Sequence, residues 1–215
     1  MMAGGPSSCR MANVLLLLAA GDLPSDGVAS ALAKGADEII AIDGGLRHAV
    51  RLGARVSMLI GDLDSIEGLD ISGLEVVQLS DQDCSDLAKA LAWCKRERDG
   101  SEVHVVGLDG GRLDHRMGVA AALVETASNA VVHLEGGNLR RIEEGSVRTL
   151  EAFPGLILGL HPMGPVEGVV LRGVKYPLDQ ANLEVSTLGI HNIAEGDAVE
   201  VGLAKGDLLL SCSRC

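Results

Sequence analysis

Carboxylates crowd into four short segments of the first half of the chain: Asp43-Gly44-Gly45, Gly61-Asp62-Leu63-Asp64-Ser65, Asp81-Gln82-Asp83-Cys84-Ser85-Asp86 and Gly107-Leu108-Asp109-Gly110-Gly111-Arg112-Leu113-Asp114-His115. Each alone has an ordinary reading. Asp-Gly-Gly is a common turn, Asp62 and Asp64 can belong to a solvated loop, and Ser85, Asp86 or Asp114 can cap a helix. Their conjunction is harder to dismiss, because repulsion among so many carboxylates costs stability unless a cation compensates it. Hard oxygen ligands without a matching Cys–His set suit magnesium better than zinc, and magnesium held this way usually shares its shell with phosphates. In the fourth segment the glycines would let backbone N–H groups approach phosphate oxygens, and Arg112 could fork onto them. Neither G-x-G-x-x-G nor G-x-x-x-x-G-K-[ST] stands at a strand end, so dinucleotide binding of the Rossmann kind and a P-loop both lack support. The residues reach magnesium-dependent phosphate chemistry on a nucleotide. They do not name the acceptor.

Such segments must be brought together by the elements between them. From Asn13 to about Glu135 short apolar runs ("NVLLLLAAG", "DEIIAID", "VSMLIGD", "EVVQL", "EVHVVG", "AVVHLE") read as strands buried on both faces. Helical patterns lie between several of them, as in "SDLAKALAWCKRERDG", where Leu87, Ala90, Leu91 and Cys94 fall on one side. This alternation predicts a mostly parallel sheet covered by helices, whose ligands bind beyond the carboxyl ends of the strands. The acidic segments fall at those ends. After Asn138 the pattern changes to short strands ("SVRTLEA", "LILGLHPM", "VEGVVLRGV", "LEVSTLG", "DAVEVGLA", "DLLLSCS") punctuated by Gly, Pro, Asn and Asp, which predicts a small antiparallel sandwich. The expected organisation is a loose extension over residues 1–12, with Met11 an alternative start, an α/β catalytic domain over 13–138, and an all-β domain over 139–215.

Composition narrows the classes. The 215 residues are 47% hydrophobic and 22% charged, as in a folded globular chain, and only 1% aromatic, so Leu, Val, Ile and Ala must fill the core. A formal net charge of -12 argues against nucleic acid as partner, while leaving room for a nucleotide carried with magnesium. Five scattered cysteines suit a reducing, cytoplasmic setting. Cys212 and Cys215 read as incidental thiols, since a zinc site needs a second pair of ligands. No apolar run approaches the length of a membrane span, and "NVLLLLAAG" reads as a buried strand rather than the core of a signal peptide.

The ordered series "AIDGGLRHAVRLG", "LIGDLDSI", "DQDCSDLAKAL" and "GLDGGRLDH", followed by "GVKYPLDQANLEVSTLGIHN", resembles the thiamine pyrophosphokinase family over roughly residues 36–192. The resemblance implies an α/β catalytic domain, a β-sandwich substrate domain and a homodimer with its active sites between subunits. It implies transfer of the terminal pyrophosphate of ATP to the hydroxyethyl oxygen of thiamine, giving thiamine diphosphate and AMP. Asp62 and Asp64 would hold magnesium with Asp86. Asp43, Gly44 and Gly45 would line the nucleotide region, with Ser65, Gln82, Ser85, Gly110 and Gly111 contributing to ATP binding. Arg112 and Asp114 would face the transferring group, and either Asp114 or Asp86 could take the hydroxyl proton. In the second domain Tyr176 stands where the family often has an aromatic that stacks on thiamine, and His191-Asn192 where a Ser-Asn pair meets the pyrimidine.

Two departures matter: Cys84 replaces a frequent Lys and His191 replaces the usual Ser. They keep alive a pyrophosphokinase acting on another alcohol, such as a hydroxymethyl pterin. Readings from other classes are a non-catalytic nucleotide-binding module and a magnesium-dependent phosphohydrolase.

Overall fold

The computed structural model describes residues 12–25, 27–79 and 83–213. The expected N-terminal extension, the alternative start at Met11, Gln82 and the Cys215 half of the C-x-x-C pair lie outside the described residues.

The apolar runs become the parallel strands β1 (Val14–Leu18), β2 (Glu38–Ile42), β3 (Met58–Gly61), β4 (Glu75–Gln78), β5 (Glu102–Val106) and β6 (Val131–Leu134). They lie side by side in the order β6-β5-β1-β2-β3-β4. The chain runs outward from β1 to β4 and then returns to the other side of β1 as β5. This reversal opens a crevice at the carboxyl ends of the central strands, as expected of an open parallel sheet. Helices α1 (Val28–Gly35) and α2 (Leu46–Leu52) cover one face through Leu16, Leu18, Ile39, Ala41 and Leu59. Helices α3 (Asp86–Glu97) and α4 (Leu113–Glu125) cover the other through Leu15, Leu17, Ile40, Ile60 and Val105. The Ser85 hydroxyl caps α3 by accepting from Ala88 N at 3.2 Å, and Leu87, Ala90, Leu91 and Cys94 all turn inward as the spacing predicts.

The second half departs from a free-standing sandwich. β7 (Gly137–Ile142), β14 (Leu208–Ser213), β9 (Ile157–Pro162) and β12 (Asn192–Ile193) add antiparallel to β6, extending the first sheet to ten strands. The second sheet has four antiparallel strands in the order β11-β10-β13-β8, formed by β11 (Leu178–Leu183), β10 (Val166–Arg172), β13 (Ala198–Leu203) and β8 (Ser146–Glu151). Its core packs Val169, Leu171, Val199 and Val201 against Ile142, Leu158, Leu160, Leu208 and Leu210 of the long sheet. The architecture is therefore α/β plus an antiparallel β-sandwich, and one wall of the sandwich continues the parallel sheet.

Three strand expectations need correction. β4 is an edge strand with largely exposed residues, so one neighbour and one covered face suffice for "EVVQ". The strand expected at "LEVSTLG" lies earlier, in "LDQANL", and ends at Leu183. β7 spans the boundary between the two expected domains, in the polar stretch "GNLRRI", where the sequence pattern shows no strand. Its Asn138 and Arg140 nevertheless alternate with Leu139, which packs into the helical core.

Candidate active site

The site forms where β2 and β3 end. Asp43 begins a short 3-10 turn (Asp43–Gly45) directly after β2, with a left-handed φ of 43° and 5% exposure. Gly45 is needed there because a Cβ would lie 1.9 Å from Leu18 O on the neighbouring strand. Leu63 N donates to Asp43 Oδ1 at 2.9 Å, while Oδ2 is buried with no hydrogen-bond partner. A Cβ on Gly61 would stand 2.1 Å from the same carboxylate, so glycine keeps open the space that the carboxylate fills. Asp62, one residue past β3, accepts from Asp64 N at 3.2 Å. Asp86 opens α3.

Carboxylate oxygens of Asp43, Asp62 and Asp86 lie within 4.8 Å of one another. Burial pushes the Asp43 carboxyl above its ordinary range, and the charges of Asp86, Asp62 and Asp64 push the same way against the Leu63 hydrogen bond. One cation nevertheless sits inside the cluster. Lys89, one turn along α3, is buried and donates from Nζ to Asp86 Oδ1 at 2.9 Å. Burial would lower its pKa, but the bond to Asp86 and the charges of Asp86 and Asp62 raise it overall, so it stays protonated. A single ammonium does not balance three carboxylates. The partnerless Asp43 oxygen, the all-oxygen donor set and the mutual repulsion together fit a hard divalent cation such as magnesium.

The other expected residues are distributed as follows. Asp64 is exposed, accepts from Ser65 Oγ at 2.7 Å and stands outside the three-carboxylate group. Gly44 and Gly45 are buried beneath the turn. Ser85 serves as the α3 cap, where its hydroxyl accepts from Ala88 N and keeps its own O–H to donate. Gly110 and Gly111 both have left-handed φ, and Gly110 packs against the Asp22 carboxylate. Arg112 and Asp114 form a two-pronged exposed pair, Nε to Oδ1 at 3.1 Å and Nη2 to Oδ2 at 2.6 Å. That pairing holds the Asp114 carboxyl below the usual range.

Tyr176 and His191 are exposed at the far end of the molecule, and His191 has a left-handed φ of 62°. Asn192 is buried and spans Tyr176: its Oδ1 accepts from Tyr176 N at 3.1 Å and its Nδ2 donates to Tyr176 O at 2.7 Å. Its amide is thus occupied in holding the tyrosine.

Sequence reasoning missed three contributors. Asp43 was placed with the nucleotide and not with the metal ligands, because its carboxylate lies about 20 residues from Asp62 in sequence and is joined to it only by the pairing of β2 with β3. Lys89 was passed over, although a lysine among Leu87, Ala88, Ala90 and Leu91 on a buried helix face signals a partnered charge. Arg47, just after Asp-Gly-Gly-Leu, reaches Ser65 O with Nη2 at 3.2 Å and brings a guanidinium beside the Asp62–Ser65 loop.

Two family models match, thiamin pyrophosphokinase catalytic domain over residues 29–133 and thiamin pyrophosphokinase vitamin B1 binding domain over 148–208. "Thiamine pyrophosphokinase 1" of Oryza sativa subsp. japonica is 28% identical over 206 residues, covering 88% of this chain and 77% of the relative. "Thiamin pyrophosphokinase 1" of Caenorhabditis elegans is 27% identical over 164 residues, covering 69% and 68%. Among solved structures, thiamine pyrophosphokinase from Bacillus subtilis superposes with a TM-score of 0.78 at 23% identity, over 94% of this chain and 99% of that one. The protein from Geobacillus thermodenitrificans gives 0.79 at 23% identity, over 94% and 98%. These structural likenesses establish the fold.

Proposed function

The chain belongs to the thiamine pyrophosphokinase family, and from that premise we propose that it transfers the terminal pyrophosphate of ATP to the hydroxyethyl oxygen of thiamine, releasing AMP. The observation that carries the reading is the convergence of Asp43, Asp62 and Asp86 at the mouth of the sheet crevice, with one buried oxygen left without a partner. A magnesium ion held there by these three carboxylates, with Asp64 beside them, would neutralise phosphate charge and align the chain for attack.

The chain's own groups supply the rest. Lys89 fixes the Asp86 carboxylate through its 2.9 Å bond and limits repulsion within the cluster. Arg47 and Arg112 offer guanidinium forks to phosphate oxygens from two sides of the crevice. Gly110 and Gly111 bring backbone close to the same region, and Ser65 borders it. Of the two carboxylates considered for the hydroxyl proton, Asp114 is paired with the Arg112 guanidinium and Asp86 with the Lys89 ammonium, so each faces a cation. Much of the acceleration of such transfers comes from alignment and charge stabilisation.

The thiamine-binding residues favour an active site shared between two copies of the chain. β12, which carries Asn192 beside Tyr176, is the first strand of the long sheet, whereas β2 and β3, which end at Asp43 and Asp62, are the eighth and ninth. At about 4.8 Å per strand interval this separation is roughly 35 Å, far beyond the length of thiamine. Tyr176, Leu188 and Ile190 are exposed apolar residues around that edge. A homodimer that sets this edge against the partner's crevice would cover them and complete the site. Among the described residues no helix is long and apolar enough to cross a membrane, and a cytoplasmic location fits the substrates.

The direct test is incubation with ATP, magnesium and thiamine, followed by separation of the nucleotides. AMP and thiamine diphosphate in equal amounts are expected. ADP with free phosphate would indicate a phosphohydrolase, AMP formed only with a pterin alcohol would indicate another acceptor, and unchanged ATP would indicate a binding module.

A further inference from the structure

Away from the carboxylate cluster, a cavity of about 300 Å³ lies between α1 and the start of the second sheet. Val28 and Phe153 rim it, and His133, Asn138, Arg140 and Cys212 line it. None of the residues assigned above to ATP, magnesium or thiamine contributes. The alternation of β7 fixes the side from which Asn138 and Arg140 approach: Leu139 packs into the helical core, and its two neighbours face the sandwich side of the sheet.

Two polar atoms here lack partners. Arg140 Nε and Asn138 Oδ1 are both buried without a hydrogen bond. The guanidinium makes no ion pair among the described residues, and burial lowers its pKa against the opposing influence of Cys212 and Glu102, with the Arg148 charge adding to the burial. Behind it His133 Nε2 and His104 Nδ1 meet at 2.9 Å. Glu151 also lines the cavity and the charge of Glu102 acts on the guanidinium, yet both are exposed and neither forms an ion pair with Arg140. A partly buried guanidinium with an unbonded Nε and no ion pair is costly.

We propose that this cavity binds a phosphate group, either free or as the end of a small phosphomonoester. The pairing of orphaned atoms selects that chemistry. Arg140 Nε–H needs an acceptor and Asn138 Oδ1 needs a donor, and a hydrogen phosphate presents both, whereas a carboxylate or sulfate only accepts. The cavity is large enough for the anion, and the Arg140 guanidinium and the His133 imidazole both line it. The assignment does not depend on the reaction, since it uses neither the crevice nor the thiamine edge.

The test is a titration of the intact protein, by calorimetry and by thermal shift, with inorganic phosphate, AMP and sulfate. Saturable stabilisation by phosphate or AMP, with at least about tenfold weaker binding of sulfate, is expected. A response to phosphate and AMP alike, weakened in Arg140→Gln, would assign the site to the phosphoryl group, whereas a response to AMP alone that persists in Arg140→Gln would be product binding in the crevice and would overturn the proposal. Arg140→Gln should weaken binding by about tenfold or more. Should that variant fail to fold, Asn138→Asp tests the same contact by placing a negative charge against the anion. Asp62→Asn should bind phosphate as the unaltered protein does. Non-saturating shifts shared by the unaltered protein and the variants, equal binding of sulfate, or displacement by magnesium-ATP would each overturn the proposal.

Discussion

The carboxylate crevice and the Tyr176 edge solve opposite problems with the same kinds of residue. At the crevice, polar atoms are buried and left short of partners: Asp43 is 5% exposed, and one of its oxygens is unbonded. At the edge, Asn192 uses both ends of its amide on the Tyr176 backbone, and the ring it positions is 60% exposed. The first region is strained electrostatically and waits for charge. The second is satisfied in its hydrogen bonds and waits for a surface. A site that holds a cation can be built within one chain, whereas a site that stacks a flat ring needs something on its other side.

The largest expected effect breaks the crevice. Asp43→Asn or Asp62→Asn should lower kcat by about a hundredfold or more, because an anionic ligand is lost where phosphate charge is neutralised. Asp43→Asn should simultaneously raise the Tm of the metal-free protein by about 2–5 °C, since the buried charge disappears while the amide oxygen can still accept from Leu63 N. Asp64→Asn, exposed and outside the cluster, should cost far less. Comparable losses at Asp64 and Asp43, or a fall in Tm on Asp43→Asn, would remove the distinction between them.

The edge is broken by Tyr176→Ala, which should raise the KM for thiamine about tenfold or more without moving the KM for ATP. Mixing this variant with Asp62→Asn tests whether the two regions meet across subunits. At thiamine concentrations far below the raised KM, random exchange leaves half the dimers mixed, and each mixed dimer has one intact site, so roughly a quarter of the unaltered protein's activity should return. No recovery after exchange is verified by mass spectrometry would place both regions of a working site in one chain.

Lys89 sharpens the comparison from within the crevice. Lys89→Met removes the buried ammonium and leaves Asp86 half-exposed and unpaired. Stability should fall by about 1–2 kcal/mol, less than for a wholly buried pair because water can reach Asp86. The rate should drop by about tenfold and recover partly as magnesium is raised, the ion replacing some of the lost charge. A rate insensitive to magnesium in this variant would separate Lys89 from the metal site.

The same contrast explains what the sequence made legible. Strands buried among other strands announce themselves by apolar runs, and the parallel order and the acidic strand ends followed from them. β7 hid because Asn138 and Arg140 line a polar cavity on one face and Arg141 pairs with Asp207 on the other, which disguises a strand bonded on both edges. β12 hid because two residues form no pattern. The "LEVSTLG" segment imitated a strand because Leu183, Val185 and Leu188 are apolar, yet Val185 and Leu188 are exposed. At the site, the Asp62–Asp64 spacing was visible, but the role of Asp43 arises from strand pairing, which one local segment cannot encode.

The smallest effect concerns the wall of the sandwich that continues the parallel sheet. His161 on β9 lies half-buried beside Ser211 of β14, with its ring nitrogen 2.8 Å from the hydroxyl, and burial lowers its pKa. The unfolded chain takes up the proton near the ordinary value of about 6.5, and the folded chain does so only at lower pH. Above that range neither state is protonated, and His161 adds no pH dependence. As pH falls below about 6.5 the unfolded state gains a proton that the folded state refuses, so stability declines until the folded ring also protonates. His104, also lowered by burial, acts in the same direction. His161→Gln keeps a group that can bond Ser211 and removes one of the two titrations. The fall in Tm between pH 7 and pH 5.5 should therefore be smaller in His161→Gln by about 1–2 °C, whereas Tyr176→Ala should leave that slope unchanged. An identical slope in His161→Gln and the unaltered protein would mean that the ring protonates as readily in the sheet as in the unfolded chain.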